Sequence, residues 1–129
     1  MEGAFLFGRN MWSRNNKASI ERNQRRVDSG ILSAHYPEVA RIVISMMYRQ
    51  KGMAAPIRRV LNYDPGSYAF FKVDCLSDDC VDGGFDMYRI ITSMIRNRSE
   101  SSRGELGCDD SGPRPDHSNI VYEVAIQYV

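Results

Sequence analysis

A chain of 129 residues with 43% hydrophobic and 26% charged side chains has the size and composition of one ordinary globular domain, large enough to bury a core without staples. A formal net charge of +1 excludes a global electrostatic drive toward nucleic acid or a membrane surface. No apolar run reaches the roughly 18 residues that span a bilayer, and Ala4 to Phe7 is shorter than a signal-peptide core of about 7–15 residues. Three cysteines, an odd count, sit awkwardly in a secreted disulfide framework, so a cytoplasmic protein with reduced thiols is expected.

The charge is unevenly placed. Residues 1–37 carry six basic side chains against three acidic ones, whereas the remainder carries 11 basic and 13 acidic. Between Ser13 and Gly30 the strongly apolar residues are Ile20 and Val27, too sparse for a 3.6-residue repeat to hold a helix on a core. Residues 1–36 are therefore expected to form a basic, weakly structured arm, and residues 37–129 a single α+β domain.

From Pro37 the pattern becomes regular. Val39 to Tyr48 is rich in β-branched residues and alternates Ala40, Ile42, Ile44 and Met46 against Arg41 and Ser45, which predicts a strand. A helix entered at Pro37 is the competing reading. Arg59–Tyr63 and Tyr68–Cys75 predict a hairpin around the turn residues Asp64, Pro65 and Gly66, with Ala69, Phe71, Val73 and Cys75 on the core face. Asp86 is placed to cap a helix whose Met87, Ile90, Ile91, Met94 and Ile95 form one apolar stripe. Ser99 to Gly104 reads as a polar break. A short strand at Glu105–Cys108 and a longer one at Ile120–Val129 close the chain. The predicted order is β-β-β-α-β-β: a small, mostly antiparallel sheet with one amphipathic helix on one face. A right-handed crossover through the helix would set the strands ending at Cys75 and Cys108 parallel.

That topology brings Cys75, Cys80, Cys108 and His117 to one sheet edge. Three thiolates and an imidazole in two pairs suit a structural zinc ion, intact or vestigial. The bland reading is that these cysteines are small hydrophobes and His117 a surface group. Asp82 to Asp86, DGGFD, lacks the spacing of a phosphate loop or a dinucleotide fingerprint and reads as a glycine turn with an N-cap. Eight aspartates between Asp74 and Asp116 form an acidic edge that favours a cation or a basic surface. The basic arm of a second copy would satisfy it, which points to a homo-oligomer formed through the arm.

Neither histidine stands in a local pattern with a nucleophile, so catalysis has little support. The leading expectation is a non-enzymatic interaction domain, with or without zinc. Two alternatives stay open. Arg9, Trp12, Arg14, Lys17, Arg22, Arg25 and Arg26 could follow phosphates and stack a base, making a nucleic-acid-binding arm. A small enzyme could place its site at the acidic Cys/Asp edge.

Overall fold

The computed structural model describes residues 17, 20–49, 55–74, 84–108 and 119–129. Strand alternation builds its main sheet. In β1 (Val39–Arg49) Ile42, Ile44, Met46 and Tyr48 are buried while Arg41, Ser45 and Arg49 are exposed, the two-residue period of a strand covered on one face. The β-branched run Ile42-Val43-Ile44 resolves the competition with a helix in favour of extended backbone. The same alternation buries Ile120, Tyr122, Val124 and Ile126 in β6 (Asn119–Tyr128). The two strands run antiparallel with Ile44 opposite Val124 and Tyr48 opposite Ile120.

Strand β2 (Ile57–Tyr63) flanks β1, and β5 (Ser101–Gly107) flanks β6, both antiparallel, so the sheet order is β2-β1-β6-β5. One sheet face carries the core. The other presents Arg41, Ser45, Val60, Arg103 and Glu123 to solvent. A separate two-stranded sheet joins β3 (Lys72–Asp74) to β4 (Gly84–Asp86), with Val73 opposite Phe85.

The helix α3 (Tyr88–Asn97) closes the core. Asp86 Oδ1 accepts the Tyr88 backbone N–H at 2.9 Å, satisfying one of the donors a helix start leaves open. Met87, Ile91, Met94 and Ile95 are buried as the stripe predicts, and Ile90 is half-buried against the same cluster. At the other end Arg98 adopts a left-handed conformation with φ 51°. Its N–H and that of Ser99 return to the carbonyls of Ile95 and Met94 at 3.1 and 2.8 Å, a pattern normally built on glycine. The Arg98 guanidinium lies 4.6 Å from the centre of the Tyr128 ring, and the Tyr128 phenol donates to the carbonyls of Ser99 and Met94 at 2.8 and 3.1 Å. Phe71 and Ile91, both fully buried, share one interior with the inner face of the sheet. The protein is a small α+β fold built on a four-stranded antiparallel sheet.

Three expectations are corrected. The Asp64 turn forms, with Ser67 N–H on the Asp64 carbonyl at 3.0 Å and Gly66 N–H on Asp64 Oδ1 at 2.8 Å, but it does not join a hairpin. β2 pairs with β1 instead, and Lys72–Asp74 pairs with β4. Alternating apolar residues mark a strand without naming its neighbour, and β1 offers β2 the longer partner. The parallel crossover is also absent among the described residues: β3 and β5 lie in different sheets, and β5 is antiparallel to β6. Ser101 to Gly104, read as a polar break, is the first half of β5. As an edge strand exposed on alternate residues it needs little apolar content, and Gly104 leaves room for the Tyr122 ring that crosses beneath it.

The described part of the arm is ordered. Residues 20–28 are helical (α1) and are followed by a helical turn α2 (Leu32–His35). Leu32 is fully buried in the core, its N–H bonds to the Ser67 carbonyl at 2.7 Å, and Ala69 N–H bonds to the Gly30 carbonyl at 2.8 Å. The edge of the core therefore lies before residue 37. Gly30, at φ +74°, ends α1 where the chain turns back past the His35 ring. No described helix is long and apolar enough to cross a membrane.

Candidate functional site

The surface with the most chemistry among the described residues forms where α1 meets the sheet. Ile20 and Val27 stay exposed on α1, so this helix is not held by an apolar stripe. Polar contacts hold it. Arg22 Nε lies 3.2 Å from Asp74 Oδ1. One turn later the Arg26 guanidinium sits 5.5 Å from the centre of the Phe70 ring. At the C-terminal end Ser29 Oγ lies 3.0 Å from the Tyr88 phenol oxygen, and that phenol donates to the Ala69 carbonyl at 3.0 Å. A spacing of four residues puts Arg22 and Arg26 on one helix face, turned toward the segment that carries Phe70 and Asp74.

Between α1, β2 and β3 lies a cleft of about 330 Å³, lined by Arg26, Arg59, Lys72, Tyr63, Tyr68 and Phe70, among others. Three cations from three different elements thus face one concavity with aromatic walls. Tyr63 lines the same cleft. Its phenol donates to the Phe70 carbonyl at 2.9 Å. Burial pushes its pKa up to about 12, and Tyr88 adds to the rise, while Arg26 and Arg59 pull the other way. The cleft's carboxylate, Asp74, is already engaged by Arg22. Such a surface can neutralise phosphate or carboxylate charge and offer a ring face for stacking.

Of the residues proposed from sequence for a basic arm, Arg9, Trp12 and Arg14 lie outside the described residues. Lys17 and Arg25 are exposed on the helical segment, and Arg22 and Arg26 face the folded domain as described. Arg59, Lys72, Tyr63, Tyr68 and Phe70 escaped sequence reading as site residues. Arg59 and Tyr63 share the inner-face register of β2 opposite Met46 and Ile42, a fact that depends on which strand β2 pairs with. The attraction between basic arm and acidic edge, anticipated between two copies, is realised within one chain at the Arg22–Asp74 pair.

The proposed zinc ligands Cys75, Cys80 and His117 lie outside the described residues. Cys108 is buried at the end of β5. Among the described residues no group of three or more histidine, cysteine, aspartate or glutamate side chains could hold a metal ion. Described residues at or near three of the four positions lie toward one end of the sheet. The Tyr48 phenol donates to the Asp74 carbonyl at 3.2 Å, Tyr48 is opposite Ile120 on β6, and Ile120 is opposite Leu106 on β5. Asp74, Cys108 and Asn119 therefore belong to the same end of the sheet. The DGGFD segment is not a turn at its second glycine: Gly84 is in strand β4, close against the Val73 backbone.

No family model matches the chain, and comparison with curated proteins and with solved structures returns no match.

Proposed function

We propose that this chain is a non-catalytic interaction domain that binds single-stranded nucleic acid in the cleft between α1 and β2. The observation that carries this reading is the convergence of Arg26, Arg59 and Lys72 on a concavity walled by Tyr63, Tyr68 and Phe70. Single strands are held by cations that follow the phosphates and by aromatic faces on which bases stack, worth roughly 1–3 kcal/mol per stacked base. Tyr68, 38% exposed, is the ring most open to a base, and the exposed guanidinium of Arg59 meets the backbone. The near-neutral net charge confines the attraction to this locality, so affinity is modest and salt-sensitive.

Fluorescence anisotropy of labelled mixed-sequence RNA and DNA strands of about 12 nucleotides, within the usual site sizes, tests the reading at two or more salt concentrations. Saturable binding that weakens as salt rises is expected. Arg59→Glu should weaken it about tenfold or more, because it both removes a cation and adds a repelling charge, while Arg96→Glu, on the exposed side of α3, should change it little. Binding that ignores salt, or that survives Arg59→Glu unchanged, removes the cleft as the site.

The four-ligand zinc site is a second reading, supported by the shared sheet end of Asp74, Cys108 and Asn119. Cys75, Cys80, Cys108 and His117 would hold one zinc ion that ties the β3–β4 and β5–β6 connections together, a stabilising rather than catalytic role. Elemental analysis of protein purified without chelator should then find one zinc per chain. Metal-free protein whose three thiols all react with a thiol reagent after denaturation, and which unfolds at the same temperature with and without added zinc, ends this reading.

A further inference from the structure

Strand β5 is an edge of the main sheet. The Ile126 N–H bonds to the Glu100 carbonyl at 2.9 Å just before the strand begins. Because backbone groups alternate sides along an antiparallel strand, Ser102, Gly104 and Leu106 direct their N–H and C=O groups toward β6. Ser101, Arg103, Glu105 and Gly107 direct theirs away from it, and among the described residues no strand pairs with that side. Natural edges are normally blunted by charged side chains, proline or bulges. β5 has no proline or bulge, its register with β6 is unbroken, and its two charges, Arg103 and Glu105, are of opposite sign, so a second copy can satisfy them where an unrelated strand would not.

We propose that the occupant of this edge is a second copy of the chain, paired antiparallel through β5 about a two-fold axis at Gly104. The register follows from the sequence of the strand. Centring on Gly104 sets Arg103 opposite Glu105 of the partner, and Glu105 opposite Arg103 of the partner, so both cross-strand pairs join opposite charges. These residues are also the ones whose backbone groups point outward, so Arg103–Glu105 and Ser101–Gly107 become the pairs that exchange two hydrogen bonds each. Charge order and hydrogen-bond phase thus select the same alignment. Both charged side chains are on the solvent face, where Arg103 already lies 3.3 Å from Glu123 of its own strand partner. Gly104 opposite Gly104 puts no Cβ at the axis, leaving the inner face there to the Tyr122 ring that crosses beneath each glycine. The other sheet edge differs: β2 carries Arg58 and Arg59 and no acid, so its own copy supplies no opposite charge. The product is a continuous eight-stranded sheet, an isologous dimer with closed two-fold symmetry.

Sedimentation velocity of the full chain under reducing conditions, over a range of concentrations, should show a monomer–dimer equilibrium. Glu105→Arg places arginine opposite arginine at both pairs, and Arg103→Glu places glutamate opposite glutamate. Each variant alone should dissociate about tenfold or more readily, from two attractive pairs turned repulsive. Both positions are exposed, and circular dichroism checks that each variant keeps its fold. Mixing the two variants restores opposite charge at both pairs, so the mixture should form a heterodimer that neither variant forms alone. A wild-type chain that stays monomeric overturns the proposal. So does a dimer indifferent to both substitutions, which would place the interface elsewhere, or a mixture that stays monomeric, which would refute the register.

Discussion

Ile91→Asp is expected to abolish cooperative folding. Ile91 is fully buried at the centre of the α3 stripe, in the same cluster as Phe71, Phe85, Val124 and Ile126. An aspartate there loses the apolar burial of the isoleucine, about 1.5–3 kcal/mol, and puts a carboxyl group inside a predominantly apolar cluster. Burying such a group unpaired costs several kcal/mol more, whether it stays charged or takes up a proton. The sum is on the order of the whole stability of an ordinary domain, roughly 5–15 kcal/mol. Urea unfolding followed by far-ultraviolet circular dichroism should show no native baseline for the variant. Ser93→Asp, on the exposed side of the same helix, should shift the midpoint by no more than about 0.5 kcal/mol equivalent. An Ile91→Asp chain that unfolds cooperatively near the wild-type midpoint would mean that α3 does not face the core.

The elements whose signal is a local apolar period were legible in the sequence. β1, β6 and the α3 stripe bury most of the side chains that periodicity assigns to them, with Ala40, Ile90 and Tyr128 only half-buried, and the N-cap falls at Met87, one residue after the expected Asp86, whose carboxylate still accepts the Tyr88 N–H. What periodicity cannot carry is partnership. The segment from Tyr68 to Asp74 buries Ala69, Phe71 and Val73 as predicted, yet Phe70 is buried as well, because α1 covers the second face with Arg26. That covering was invisible for a physical reason. α1 docks through a guanidinium on a ring and an ion pair, and no hydrophobic repeat records such contacts. β5 was half missed for a related reason: an edge strand whose inner face is Ser102, Gly104 and Leu106 has little apolar pattern to read. The cleft inherits both blind spots, since its residues come from the docked helix, from the inner register of β2 and from the segment between them. Only the basic character of Arg22, Arg25 and Arg26 pointed toward it. The proposed zinc set rested on a parallel pairing of the strands ending at Cys75 and Cys108, which is absent among the described residues; what relates Asp74 to the sheet end of Cys108 is the Tyr48 phenol reaching across to the Asp74 carbonyl.

Gly84→Ala is expected to be the most destabilising of the small substitutions, and its cause is backbone rather than burial. A methyl group at position 84 would run into the carbonyl oxygen of Val73, with the Val73 carbonyl carbon at 3.2 Å and Lys72 Cε at 3.4 Å behind it. A flexible side-chain tip could move aside, but a strand backbone moves only with its neighbours. β3 and β4 are three residues each, so there is little ladder to absorb the shift. Phe85, fully buried, stacks edge-on to Tyr48 with centroids 5.9 Å apart. Displacing β4 therefore disturbs the core and the Tyr48–Asp74 contact together. Overpacking of this kind typically costs about 1–3 kcal/mol, which for a domain of this size lowers the melting temperature by roughly 4–11 °C. Gly107→Ala supplies the comparison. Nothing lies within 4 Å of the added carbon, and alanine suits a strand slightly better than glycine, so its melting temperature should equal or exceed that of the wild type. Thermal scans of the two variants separate the effects. Equal melting temperatures would show that the close approach of β4 to Val73 does not exist, and with it would go the placement of Asp74 at the sheet end that the thiol proposal requires.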